Sequence, residues 1–392
     1  DSRADLLTYG MGENILIRLA KLLDKGVPVK KIRDVRGTVY LAKKGDAVHF
    51  DSLEVGDYDE LKSDKRAYAK AFSIQYKNTD SVHGKAIIEY YGDKMLVQNP
   101  PMPPLEREEL DAVYALPFMR TYHPIYEKDG GIPAIEEVRF SLTHNRGCFG
   151  GCNFCALAFH QGRTVRSRSI ESVVAEAKKI TEMPDFKGYI HDVGGPTANF
   201  RAPACKKQLT DGVCASRKCL APTPCKNLIA DHTEYIKLIE EIEKLPKVKK
   251  VFIRSGIRFD YLLADKDEAF FKKLVRDNIS GQLKVAPEHC SSAVLRCIQS
   301  LRDDEVKVGV IAKYGFQLAA IAESRDYVAD QFATVEKASF GATTSTVYEP
   351  LDAEYIAARE AEGKGKNISP DKRIDASTCA FPDSTWFTKG IT

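Results

Sequence analysis

The sequence has almost no net charge: 58 lysines and arginines face 55 aspartates and glutamates over 392 residues. Without an excess of one sign it lacks the electrostatic footprint of a nucleic-acid or membrane-surface binder, so no nucleic-acid partner is indicated. It has no apolar run near the roughly 18 residues of a spanning helix, so no membrane partner is expected. No basic segment followed by an apolar one stands at the N-terminus, and the expected compartment is the cytoplasm. Internal repeats and low-complexity tracts are also missing, which removes solenoids and arrays; Gly363-Lys-Gly-Lys-Asn367 reads as a flexible loop. A methionine start is absent too. The chain opens DSRADLLTYGMGE, already reading as the end of a strand entering a helix, and further N-terminal sequence is expected before it.

What is there is the 43% hydrophobic content of an ordinary globular protein, in a length that can bury one large core or two. Ile15, Leu16, Leu19, Leu22 and Leu23 recur at helical spacing before a stop at Gly26. A strand is expected over 37–42, a helix over 63–76, and a linker at Asn99-Pro-Pro-Met-Pro-Pro104, where proline removes donors and fixes φ. Strands are then expected at 137–143, 188–193, 248–255 and 281–286. They alternate with helices from 170 (capped by Ser169), over 232–245 and over 266–277. That alternation implies a parallel α/β sheet or barrel, with its chemistry at the carboxyl ends of the strands.

Ten cysteines are present, and three of them fall in GCFGGCNFC: Cys148, Cys152 and Cys155, spaced C-x3-C-x2-C. Short glycine-rich loops of this kind can turn several thiolates onto one centre; Gly147, Gly150 and Gly151 allow the torsions required. Thiolates select iron–sulfur or zinc, and three of them leave one position open. Zinc completed by His144 or His160 is the alternative to an iron–sulfur cube. A disulfide framework is disfavoured by the closeness of the cysteines in sequence.

The segment Cys148-Phe-Gly-Gly-Cys152-Asn-Phe154-Cys155 resembles the radical SAM signature. RGCFGGCNFCALAFHQGR, RSRSIESVVAE, FKGYIHDVGGPTANF, VFIRSGIRFD, GQLKVAPEH and DSRADLLTYGMGE together resemble the YgiQ (UPF0313-like) family over about residues 1–297. The resemblance implies an α/β fold with a partial (β/α) barrel of radical SAM type, preceded by the remnant of an α/β, cobalamin-binding-like domain. The usual cobalamin-ligand motif is not in this sequence. The implied organisation is residues 1–104 as the end of the N-terminal domain plus linker, 105–297 as the radical SAM core with a cysteine-rich insertion at 203–227, and 298–392 as an unassigned, unmatched tail.

By the same resemblance, Cys148, Cys152 and Cys155 hold a [4Fe-4S] cluster whose open iron chelates S-adenosylmethionine. Phe154 lies near the adenine, and Gly194-Gly195 meet the methionyl amino group. Pro196 stands where many members have glutamate, and Thr197 follows it. Arg254, Ser255 and Glu288, with Arg258 and His289, are candidates for the carboxylate, ribose or substrate, or else ion pairs at the barrel mouth. The expected reaction is reductive cleavage of S-adenosylmethionine to a 5′-deoxyadenosyl radical acting on an unknown substrate, with an electron donor such as a flavodoxin or ferredoxin. The competing reading is a non-catalytic zinc or iron–sulfur module contacting RNA.

Cys205, Cys214, Cys219 and Cys225 form a second group in ACKKQLTDGVCASRKCLAPTPC, without the apolar period of core residues. Four thiols can close a site, for an auxiliary iron–sulfur cluster or zinc. Such a protein needs reducing conditions. His160 and Arg163 are candidates beside the first loop. Gly10-Met-Gly12-Glu13 reads as a tight turn, Lys247, Lys249 and Lys250 as a solvated face, and Cys290 and Cys297 as buried or bystander thiols.

Overall fold

A computed structural model describes residues 4–153, 155–221 and 223–279. The chain divides into two compact units: Asp1–Gly151 with Cys155–Cys219 and Cys225–Ser255, and Cys152–Phe154 with Leu220–Pro224 and Gly256–Thr392. Expectations for Phe154, Glu288, His289, the strand at 281–286, Cys290, Cys297 and the tail lie outside the described residues.

The first unit begins with β1 (Leu7–Thr8), α1 (Glu13–Asp24), β2 (Thr38–Lys43), β3 (Ser52–Asp57), α2 (Tyr58–Ser63), α3 (Lys65–Lys77), β4 (Ala86–Tyr91) and β5 (Lys94–Gln98). The five strands make one sheet in the order β1-β2-β5-β4-β3, parallel only between β3 and β4 and antiparallel in the other pairings. The expected α/β content is there, but most strands run antiparallel. Alternation decides the two faces of β4: Ala86 and Ile88 join Tyr40, Ala42, Met95 and Val97 on one side, while Ile87 meets Val55, Leu61 and Ala71 on the other.

The helix expected over 63–76 is α3, and a separate short helix, α2, precedes it. Asp57 caps α2, accepting from Asp59 N at 2.9 Å, and Asp64 caps α3, accepting from Arg66 N at 2.7 Å, so each helix has its own start. In α1 the stripe is narrower than expected: Ile15 is fully buried against Ile32 and Val35, with Leu19 and Leu22 beside it. Leu16 and Leu23 are exposed, because positions 15, 19 and 22 share one face at 3.6 residues per turn and their neighbours do not. Gly26, at φ +77, ends the helix as expected. Residues 99–104 are irregular, and buried Asn99 donates to Arg33 O at 3.0 Å, Val35 O at 2.9 Å and Thr38 Oγ1 at 3.0 Å.

The same unit continues with α4 (Arg107–Ala115), α5 (Ile135–Val138), β6 (Ser141–Thr143), β7 (Asn145–Arg146), α6 (Leu157–His160), β8 (Arg166–Ser167) and α7 (Ile170–Thr181). After these come β9 (Tyr189–Ile190), β10 (Asp192–Gly194), α8 (Lys207–Thr210), α9 (Thr233–Glu243) and β11 (Lys250–Val251). β10 runs parallel to β6 and β9 parallel to β11, with His191 N donating to Phe140 O and Val193 N to Phe252 O. With α7 and α9 as crossovers these are βαβ units, and no closed barrel is formed among the described residues. The expected strand at 137–143 is shorter, because Glu136 and Glu137 belong to the turn of α5. Likewise 248–255 contributes only Lys250–Val251 as regular strand, and 188–193 is split at His191.

Ser169 caps α7 as expected, accepting from Ser172 N at 3.0 Å. In the second unit, α10 (Phe259–Ala264) precedes α11 (Ala269–Lys273), which runs directly into a π-helical turn at Leu274–Asn278, so the helix expected over 266–277 is present from residue 269 and ends in a π turn. No helix among the described residues is long and apolar enough to cross a membrane.

Candidate functional site

The first cysteine loop leaves from the end of β6 and is closed at its base by the β7–β8 hairpin, which pairs Asn145 with Ser167 and Arg146 with Arg166. Cys148 N donates to Gly162 O at 3.1 Å and Gly147 N to Gln161 Oε1 at 3.0 Å. Of the three expected glycine hinges, Gly147 (φ +83) and Gly151 (φ +61) adopt left-handed torsions. Gly147 is also tight: a Cβ there would lie 2.4 Å from Thr164 O. Phe149 is buried and stacks on Phe200 with ring centroids 3.7 Å apart. That stack anchors the middle of a loop otherwise made of small and polar residues.

Cys148, Cys152 and Cys155 are all outside disulfides and half-buried. Three thiols on a loop with two left-handed hinges suit a thiolate-bound iron–sulfur group by donor chemistry. His144 does not complete such a set. It is fully buried, its Nε2 hydrogen-bonds Ala198 O at 2.8 Å, and Arg201 Nη1 lies 3.4 Å from its Nδ1. Burial first, and Arg201 second, pull its pKa well below the usual imidazole value, so it is neutral and committed to the fold. His160 is exposed on α6 and lines an open cleft of about 600 Å³ with Glu13, Arg146, Gln161 and Pro196.

The turn after β10 meets the loop. Thr197 Oγ1 lies 3.3 Å from Cys148 Sγ, although 49 residues separate them. Gly194 and Gly195 are required by space: a Cβ on Gly194 would sit 2.1 Å from Ser255 Oγ, and one on Gly195 would sit 1.7 Å from Asn145 Oδ1. Asp192, which sequence reasoning passed over, ties this turn to the one after β11. It accepts from Arg254 N at 2.8 Å, Ser255 N at 3.1 Å and the Ser255 hydroxyl. An aspartate two residues before a glycine pair at a strand end was the available signal.

In the second unit Arg258 is gripped by buried Asp260 through a two-point fork, Nε–Oδ1 at 2.7 Å and Nη2–Oδ2 at 2.9 Å. Its remaining Nη1 points at Cys152 Sγ, 3.3 Å away. Burial opposes the charge, but Asp260 and Cys152 outweigh it and raise the guanidinium pKa. Arg258 is thus an ion pair, as one of its two readings held, and also a donor to a sulfur of the first cysteine loop, which neither reading held.

The four cysteines of the second group all belong to the first unit. Cys205, Cys219 and Cys225 are half-buried and Cys214 is exposed. Burial pushes the Cys219 thiol up to about 12; Arg163 works against this, while Cys205, Cys214 and Cys225 add to it. Arg163 Nη2 donates to Cys214 O at 3.0 Å, and its guanidinium lies over the Tyr76 ring. Lys247 donates to Thr181 O and Lys249 lies over Tyr189, which fits a solvated face.

Residues 1–141 match the family model described as Radical SAM N-terminal. A UPF0313 protein of Clostridium botulinum (Loch Maree, Type A3) is 55% identical over 295 residues, covering 75% of this chain and 46% of that protein. A UPF0313 protein of Clostridium perfringens (SM101, Type A) is 56% identical over 296 residues, covering 76% of this chain and 45% of that protein. The chain belongs to the UPF0313 family of radical SAM proteins. It spans about half the length of the UPF0313 relatives it matches. The UPF0313 match is long enough to include both cysteine groups, and the Radical SAM N-terminal match ends at β6, just before the first of them.

Proposed function

We propose that this chain is part of a radical SAM enzyme, in which Cys148, Cys152 and Cys155 hold a [4Fe-4S] cluster and S-adenosylmethionine binds its open iron. When bound, that pair supplies one-electron cleavage of the sulfonium to methionine and a 5′-deoxyadenosyl radical able to take hydrogen from a substrate. The observation that carries the reading is the approach of Thr197 to Cys148 at 3.3 Å, which brings the turn after β10 onto the cysteine loop. Gly194, Gly195, Pro196 and Thr197 would line the methionyl end of the cofactor. Arg254 and Ser255, held by Asp192, would meet its carboxylate or ribose. Phe154 and Glu288 keep the adenine and polar roles that the family resemblance implies. Arg258 would supply a cationic donor to one ligand sulfur. Cys205, Cys214, Cys219 and Cys225 are assigned an auxiliary iron–sulfur cluster or zinc. A flavodoxin or ferredoxin in the cytoplasm is the proposed electron source.

The test is anaerobic reconstitution with iron and sulfide, followed by dithionite and S-adenosylmethionine. 5′-Deoxyadenosine should form with the full chain and not with Cys152→Ala. Product formation that survives Cys152→Ala, or a reconstituted cluster whose spectrum ignores S-adenosylmethionine, would overturn the reading.

A further inference from the structure

Residues 204–219 and 225–229 belong to the first unit and Leu220–Pro224 to the second; the ends of the stretch meet where Ile229 N donates to Ala204 O at 2.8 Å. Between these points the regular structure among the described residues is the single turn of α8. Loops longer than about 15 residues with so little structure of their own need something other than backbone pairing to hold them. Few apolar side chains are available: among the described loop residues the buried ones are Ala204, Leu220 and Ala221.

Polar contacts do part of the work, and they gather around the cysteines. Gln208 is buried and bridges Ala204 N (2.8 Å) to Cys219 Sγ (3.8 Å). Cys225 N donates to Cys219 O at 2.8 Å, and Gln208 N to Cys205 O at 3.2 Å. The rim of the loop is fastened to the first sheet's connections by His83 on Asp211 O at 2.8 Å and Asp80 on Val213 N at 3.1 Å. Gly212 (φ +70) lies so close that a Cβ would be 2.0 Å from Asp80 Oδ2.

Above this rim, Arg163 and Lys218 flank Tyr76, whose hydroxyl meets Gly151 O of the first cysteine loop at 3.4 Å. Two cations beside the group suit the negative charge that four thiolates leave on a bound metal. Among the described residues no three Cys, His, Asp or Glu side chains already meet at a point suited to a single ion. A metal bound there would have to draw the thiols inward, and metal binding would then order the chain that supplies the ligands.

We propose that Cys205, Cys214, Cys219 and Cys225 take up a thiophilic metal, zinc or an iron–sulfur cluster, as a structural clip that closes the 204–229 loop and seats Tyr76, Arg163 and Lys218 against Gly151. The proposal rests on reading these four cysteines as ligands and does not depend on S-adenosylmethionine chemistry.

Three full-length proteins test it: the unaltered chain, Cys148→Ala/Cys152→Ala/Cys155→Ala, and Cys214→Ser/Cys219→Ser. Each is loaded anaerobically with zinc alone or with iron and sulfide, and metal and acid-labile sulfide are then measured. The first-loop variant should keep about one zinc, or about four irons with about four sulfides, per chain. Which of these it keeps identifies the centre. In the unaltered chain, stripping the metal with a chelator should raise tryptic cleavage at Lys206, Lys207, Arg217, Lys218 and Lys226 about tenfold, because cleavage follows the open population. Cys214→Ser/Cys219→Ser should already be cleaved at the faster rate. A first-loop variant holding less than about a tenth of an equivalent of either metal, or cleavage indifferent to chelation, would overturn the clip. Failure of the radical SAM reading shows instead as missing 5′-deoxyadenosine with the second centre intact.

Discussion

Arg258 Nη1 stands 3.3 Å from Cys152 Sγ, with the other edge of its guanidinium locked on Asp260. The fork fixes the donor's direction, so the sulfur faces a cation that cannot swing away. Donors to ligand sulfur stabilise the electron-rich state of an iron–sulfur group. If the first loop holds the proposed cluster, Arg258→Gln should therefore lower the midpoint potential of the reconstituted protein by a few tens of millivolts. A potentiometric titration followed by electron paramagnetic resonance reads it, and an unchanged potential would show that the contact is only structural.

Glycine at 194 and 195 is a matter of space, since neither position has a left-handed φ. Gly195→Ala, driven against Asn145, should cost about 1–3 kcal/mol in a thermal or urea melt. Gly12→Ala has nothing within 4 Å of its new Cβ and serves as the control, expected to melt with the unaltered chain.

Asp192→Ala removes the acceptor of two backbone amides and the Ser255 hydroxyl at once. Leaving part-buried donors unpaired costs about 1–3 kcal/mol. S-adenosylmethionine binding should weaken alongside stability, measured by calorimetry at a temperature where the variant is still folded. Unchanged affinity would remove Arg254 and Ser255 from the cofactor site.

His144 supplies a pH dependence. Burial and then Arg201 depress its folded pKa well below 6.5, so below that pH the unfolded chain binds a proton that the folded chain refuses. Stability from this group is complete above about pH 6.5 and falls on acidification by about 1.4 kcal/mol per pH unit. Urea unfolding between pH 7.5 and 5.5 should show a shallower acid decline for His144→Gln than for the unaltered chain. Equal slopes would mean that the imidazole is not neutral in the fold.

The candidate site was legible where its logic is local. Cys148, Cys152 and Cys155 stand out because they crowd into one short loop, and Ser169 because an N-cap needs only its own first turn. Asp64 was equally local, and its N-cap sets the start of the helix expected over 63–76 at Lys65. Leu16 and Leu23 were placed on the wrong side because both are apolar, and apolar type alone does not set the angle on the helix. His144 looked like a ligand from its position, and burial beside Arg201 made it a neutral core residue.

By itself the sequence determined the thiol spacing, the βαβ rhythm after residue 137 and the family, since each depends on residues close along the chain or on their order. Tertiary structure alone decided that Arg258 would face Cys152 across 106 residues, that Thr197 would reach Cys148, and that Asp192 would bind two strand ends together. Hydrogen bonds depend on direction and on distances of a few ångströms, and only the packed chain sets those between residues far apart in sequence.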